Sequence, residues 1–158
     1  MTSVFQSGNV TPGHVVTWTT DGVVQDGGPL VVPKGILGSL LGANFNSTAD
    51  QAILIPSTIT AFAITGIMVT KASVSMGTAA GGFYPQASKG GTAIVANTQV
   101  YSTLTSASVL LNCTVVAGAL ATYYTRSNVP DWAIYFSLTT PQGATATADI
   151  HLLGVDLT

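Results

Sequence analysis

A chain of 158 residues is long enough for one ordinary core, and its 47% hydrophobic content is enough to fill one. Only 6% of the residues are charged, Glu is absent, and the net charge of −2 includes just four scattered basic residues, Lys34, Lys71, Lys89 and Arg126, so neither a nucleic-acid backbone nor an anionic membrane finds an electrostatic footprint. Thr, Ala and Gly fill 59 of the 158 positions, which favours pleated strands and turns over helices whose exposed faces need Glu and Lys.

The start, Met1-Thr2-Ser3-Val4-Phe5-Gln6, lacks a basic region followed by an apolar run, so no signal peptide is expected. Residues 1–35 are punctuated by Gly8, Pro12, Gly13, Gly22, Gly27, Gly28, Pro29, Pro33 and Gly35, and their apolar runs are too short to own a core. Asp21-Gly22, between Val15-Val16-Thr17-Trp18 and Val23-Val24, is a hairpin signal because both residues tolerate the positive φ of a tight turn. The segment reads as an extended N-terminal arm carrying one small hairpin. Residues 36–49 read as a linker, with a helical turn over Gly35 to Gly42 that its three glycines would make fragile.

Residues 50–158 read as an antiparallel, jelly-roll-like β-sandwich, so the whole chain is expected to be all-β. Gln51–Ile55 is followed by a β-branched stretch from Ile59 to Ser75, with a bulge or bend at Gly66. The 11 residues Ile59 to Val69, broken by Thr and Gly, are too short for a bilayer that needs ~20, so no membrane insertion is expected. Trp132, Ile134, Phe136 and Leu138 alternate with more polar neighbours, as do Ala148, Ile150 and Leu152, and Val109, Leu111, Cys113 and Val115 form a third such face. Turn signals at Gly77–Gly82, Lys89-Gly90-Gly91, Gly118, Asn128-Val129-Pro130 and Pro141-Gln142-Gly143 separate these strands.

Raw material for catalysis is scarce: two histidines, His14 and His151, no Glu and one cysteine. Asp149 and His151 share a strand face, the geometry of a base and its orienting carboxylate, yet no nucleophile is evident, and a solvent-facing polar pair explains them better. Cys113 permits no intrachain disulfide, fits a cytoplasmic site of synthesis, and reads as a small buried hydrophobe. No paired-cysteine, paired-histidine or acidic-loop spacing points to a metal, and no motif points to a cofactor. Ser88-Lys89-Gly90-Gly91-Thr92 lacks the leading glycine and following helix of a phosphate loop, so it reads as a hairpin turn. The N-x-Thr triplets at Asn9, Asn46 and Asn112 carry meaning only on a secretory route. An enzyme is therefore not expected. The alternative is a glycan-binding module contacting a host-surface polysaccharide, with Tyr84, Tyr123 and Tyr124 in or beside loops and turning their rings to sugar faces.

Three stretches carry a resemblance: Gly8-Asn9-Val10-Thr11-Pro12-Gly13-His14 running on to Trp18-Thr19-Thr20-Asp21-Gly22-Val23-Val24-Gln25-Asp26-Gly27-Gly28; Ala72-Ser73 through Gly81-Gly82-Phe83-Tyr84 to Lys89-Gly90-Gly91-Thr92-Ala93; and Ser137-Leu138-Thr139-Thr140-Pro141-Gln142-Gly143 to Asp149. Over most of its length the chain resembles small virion proteins of tailed bacteriophages, of the tail-fibre, adhesin-like, head-fibre and capsid-decoration types. The resemblance implies a structural protein made in the host cytoplasm and incorporated into the virion, at the head or at the tail. It also implies an N-terminal arm threaded into another virion protein, with Thr11, Pro12, Gly13, His14, Trp18, Asp21 and Gly22 as the attachment residues and Trp18 as their anchor. Together with the neutral Thr-, Ala- and Gly-rich surface it implies a homo-oligomer, a homotrimer by expectation.

Overall fold

The computed structural model describes residues 35–158 in full and, before them, the backbone of three strands: β1 (Phe5–Gln6), β2 (His14–Trp18) and β3 (Val23–Pro29). The chain divides into two units, residues 1–32 and 33–158. In the first, β2 and β3 pair antiparallel with Trp18 opposite Val24, and β1 runs parallel to β3 along its other edge. The hairpin read from Asp21-Gly22 is thus formed, within a three-stranded sheet. Thr11, Pro12, Gly13, Asp21 and Gly22 themselves lie outside the described residues, as do the side chains of His14 and Trp18.

The second unit is an antiparallel β-sandwich. Its larger sheet runs in the order β4 (Gly35–Asn44), β11 (Thr147–Asp156) and β6 (Ala61–Thr70), and the far edge of β6 carries both β8 (Leu111–Asn112) and β9 (Tyr123–Thr125). The smaller sheet has β10 (Ala133–Thr140) between β5 (Gln51–Leu54) and β7 (Ala80–Tyr84). The chain changes sheet at each step from β4 to β7 and again from β9 through β10 to β11, the alternation that makes a jelly roll. One short helix, α1 (Ala117–Leu120), lies between β8 and β9. Along β11, Ala148, Ile150 and Leu152 are buried while Asp149, His151 and Leu153 are half-buried, so the period of two read from the sequence marks a sheet with one core face. The bulge expected at Gly66 occurs there: Leu153 faces Gly66 and Gly154 faces Ile64, which leaves Thr65 as the extra residue.

Residues 36–44 are neither a linker nor a helical turn, and only 45–49 form a connection, to β5. Gly35–Asn44 is a ten-residue edge strand paired along β11, so the sandwich begins at β4 and not at residue 50. The ladder satisfies backbone groups that a glycine-rich helical turn would hold weakly. Gly38 has a second reason to be glycine: a Cβ there would stand 2.5 Å from the Leu54 carbonyl oxygen, where β4 crosses β5 at the corner of the sandwich. The turn expected over Gly77–Gly82 is also displaced, because Ala80, Gly81 and Gly82 belong to β7. The strand Val109–Val115 shrinks to Leu111–Asn112, although Cys113 is buried as its alternation implied.

Gly82 admits another chain segment against the sheet, since a Cβ on it would lie 2.4 Å from the Val95 carbonyl oxygen and 2.9 Å from the Ala96 carbonyl carbon. Backbone atoms cannot step aside as a side-chain tip does. Gly82→Ala is therefore expected to destabilise the sandwich by about 1–3 kcal/mol, read as a lower urea midpoint. Gly118→Ala, with open space at its Cβ, is the matched control and should leave the midpoint unchanged or raise it.

The core is held by two groups of rings. Phe136 of β10 lies 4.9 Å from Phe45, 5.1 Å from Phe83 and 5.9 Å from Tyr101, centroid to centroid, in tilted, stacked and edge-on arrangements. Phe62 of β6 stacks on Tyr124 at 5.2 Å and meets Trp132 edge-on at 5.4 Å. Arg126 then covers the Trp132 ring, 4.7 Å from its centroid.

Candidate functional site

The tyrosines proposed as glycan contacts have unlike surroundings. Tyr84 and Tyr124 are buried, with Tyr84 directly opposite Tyr135 across β7 and β10, and the Tyr124 hydroxyl donates to the Ala119 carbonyl. Their ring faces are spent on packing, and burial raises the pKa of both phenols. Only Tyr123, 57% exposed, presents a ring to solvent. Neighbours in sequence need not share a fate, because successive residues of a strand point to opposite faces. The three rings form no common sugar platform.

Asp149 and His151 do share the outer face of β11, with partners the sequence did not reveal. Ser39 of β4 is opposite His151, and its Oγ lies 2.9 Å from the ring Nδ1, while Thr70 Oγ1 lies 3.4 Å from Nε2. Asp149 does not orient the ring: Oδ1 accepts from the Gly42 N–H at 2.8 Å, and Oδ2 is 2.9 Å from Lys71 Nζ. These two partners, the Gly42 amide first, hold the Asp149 carboxyl below its usual pKa. The elements of a nucleophile, base and carboxylate are close together, but the carboxylate serves a bulge and a lysine, not the imidazole. Cys113 is buried, and desolvation pushes its thiol up to about 12, which keeps it protonated and poorly nucleophilic near neutrality. Among the described residues no three His, Cys or Asp side chains gather as metal ligands would.

Comparison with known proteins returns no matching family model, no matching curated protein and no matching solved structure.

A continuous apolar face runs over the outside of the larger sheet. Leu153 is opposite Ile36 on one side and Gly66 on the other, Val155 is opposite Ala63, and Ala63 is opposite Tyr123. Leu153 and Leu120 also line a hollow of about 310 Å³ beside Thr65, Asn112 and Cys113. Ile36 is 60% exposed and Leu120 49% exposed, large values for side chains of their size. The sequence carried a signal for this surface: the alternation in β11 that buries Ala148, Ile150 and Leu152 necessarily turns Leu153 and Val155 outward. Ile36 and Leu120 have none, because Ile36 stands in a glycine-rich run that reads as a helical turn and Leu120 stands beside the turn signal at Gly118.

Proposed function

We propose that this chain is a non-enzymatic structural component of a tailed-phage virion, in which the sandwich associates with further copies of itself and the N-terminal unit attaches to a neighbouring virion protein. The observation that carries the reading is the outer face of the larger sheet, where Ile36, Leu120, Tyr123 and Leu153 present apolar surface. An exposed apolar face of this kind is stabilised by covering it, and a low-charge surface opposes close approach of like copies only weakly. The likeness of residues 8–28, 72–93 and 137–149 to small phage virion proteins supports the same reading. On this reading the chain is made in the host cytoplasm, assembles as a homotrimer and is incorporated at the head or the tail.

Light scattering on the purified chain is expected to report a trimer, and Ile36→Lys combined with Tyr123→Lys to return a folded monomer. Association should change little as salt is raised, since the face relies on apolar contact rather than ion pairs. A wild-type monomer at high protein concentration, or a trimer indifferent to the double substitution, would remove the observation on which the reading stands. Gold label directed at Thr158 should then decorate particles of the phage that encodes the chain. Particles bare of label would refute virion incorporation.

A further inference from the structure

We propose that His151 makes the self-association of the sandwich pH-dependent, a regulation that rests on the outer face of the larger sheet being the surface that copies share. Copies hold together while the imidazole is neutral and separate when it is protonated.

His151 is the only histidine of the sandwich, and histidine is the side chain whose charge changes between about pH 5 and pH 8. It stands half-buried on the outer face of β11, the next outward position before Leu153, and such positions lie about 7 Å apart along a strand. Across the sheet, the row at His151 contains Ser39 of β4, Met68 of β6 and, beyond Met68, Asn112 of β8; the following row contains Ile36, Leu153 and Gly66. The ring therefore borders the apolar face directly. A second copy that covers Ile36 and Leu153 reaches the imidazole as well.

The surroundings supply little charge to offset an imidazolium. β4, β6 and β8 contain no ionisable side chain, and the Cys113 thiol that follows β8 is buried and, with its pKa pushed up to about 12, stays protonated throughout this range. The charged groups beside the ring are Asp149, two positions back on β11, and Lys71, which follows Thr70 at the end of β6. They are committed to each other: Asp149 Oδ2 is 2.9 Å from Lys71 Nζ, and Oδ1 accepts from the Gly42 N–H at 2.8 Å. That pair is neutral as a whole. Protonation of His151 thus adds one positive charge per copy to a surface that association takes out of water, where covering a charge is costly, and closed symmetry brings the like charges of several copies towards one another.

The hydrogen bonds around the ring let its charge change while the fold stays as it is. Nδ1 lies 2.9 Å from Ser39 Oγ and Nε2 3.4 Å from Thr70 Oγ1. A hydroxyl accepts as readily as it donates, so both pairs persist whether the ring carries one proton or two. Because covering the ring favours the form with fewer protons, association is fully present at the alkaline end of the range and is lost as pH falls.

Light scattering on the full chain at constant salt, at about pH 8 and about pH 5, tests the device, with near-UV circular dichroism recorded on the same samples. A trimer is expected at the higher pH. At the lower pH the concentration at which half of it dissociates should rise by about tenfold or more, with the near-UV spectrum of a folded sandwich retained. His151→Gln, which takes up no proton, should remain trimeric at both. A wild-type trimer indifferent to pH overturns the proposal and leaves the self-association reading standing. An equal loss of trimer in His151→Gln overturns it too, by placing the titrating group elsewhere, as does a near-UV signal lost at the lower pH, which would make the change an unfolding. A chain that is monomeric already at the higher pH overturns the self-association reading, and the proposal with it.

Discussion

Phe136→Ala is expected to destabilise the sandwich by about 3–5 kcal/mol, a large part of the ~5–15 kcal/mol by which a domain of this size is stable. Phe136 is fully buried at the centre of β10, and three other rings, Phe45, Phe83 and Tyr101, close on it from different elements. Phe45 follows β4, Phe83 sits opposite Phe136 on β7, and Tyr101 reaches in from the connection between β7 and β8. No neighbour is free to collapse into the space, because the Tyr101 hydroxyl is tied to the Gly81 carbonyl at 3.2 Å and Phe83 is fixed by the ladder. The full cavity cost should therefore appear in urea unfolding. Phe136→Leu, which keeps most of the volume, should lose less than half as much. A loss below about 1 kcal/mol for the alanine variant would show that the rings repack, and that the two sheets are held from elsewhere.

The parts of this fold legible in the sequence are those in which one strand face is buried and the other is not. β11 is the clearest: its apolar residues fall on alternate positions, and their burial follows the same period. β10 was legible for its inner face only. Ser137, on the polar side of the alternation, is buried as well, because it is opposite Gly82, over which chain from the β7–β8 connection lies. A covering loop leaves no periodic mark in the strand that it covers. Glycine was misleading for a related reason. In β4 and β7 it is selected by backbone approach, at Gly38 and Gly82, and a sequence does not distinguish a glycine required for closeness from one required for a turn.

The surfaces follow the same logic. Aromatic residues invite a reading as ligand contacts, yet Tyr84, Tyr101, Tyr124 and Trp132 are buried, and a chain with 8% aromatics spends most of them on its core. The more informative groups are small. Ser39 meets His151 only through β4 and β11 pairing, and the Ser88 N–H reaches Asp50 Oδ2 from a distant part of the chain. Such convergence is a property of topology, and no local spacing encodes it.

Deleting residues 2–28 is expected to leave the sandwich folded and to abolish attachment to the particle. Residues 1–32 and 33–158 are separate units, and every strand of the sandwich, from β4 at Gly35 to β11 at Asp156, is kept by the deletion. The truncated chain should unfold in one cooperative thermal transition, with a midpoint within a few degrees of the full-length value, equivalent to about 1 kcal/mol or less. Attachment is a different matter. β1, β2 and β3 are short strands of two, five and seven residues, the kind that add main-chain hydrogen bonds to a partner's sheet edge more readily than they build a core. Incorporation of the truncated chain into particles should fall to background, while the trimer proposed to form through the outer face of the larger sheet should be retained. A truncated chain without a cooperative transition would mean that residues 2–28 complete the sandwich core. One that stays folded and still joins particles at the full-length level would move the docking surface to the sandwich itself, with the Ile36 and Tyr123 face the first place to test.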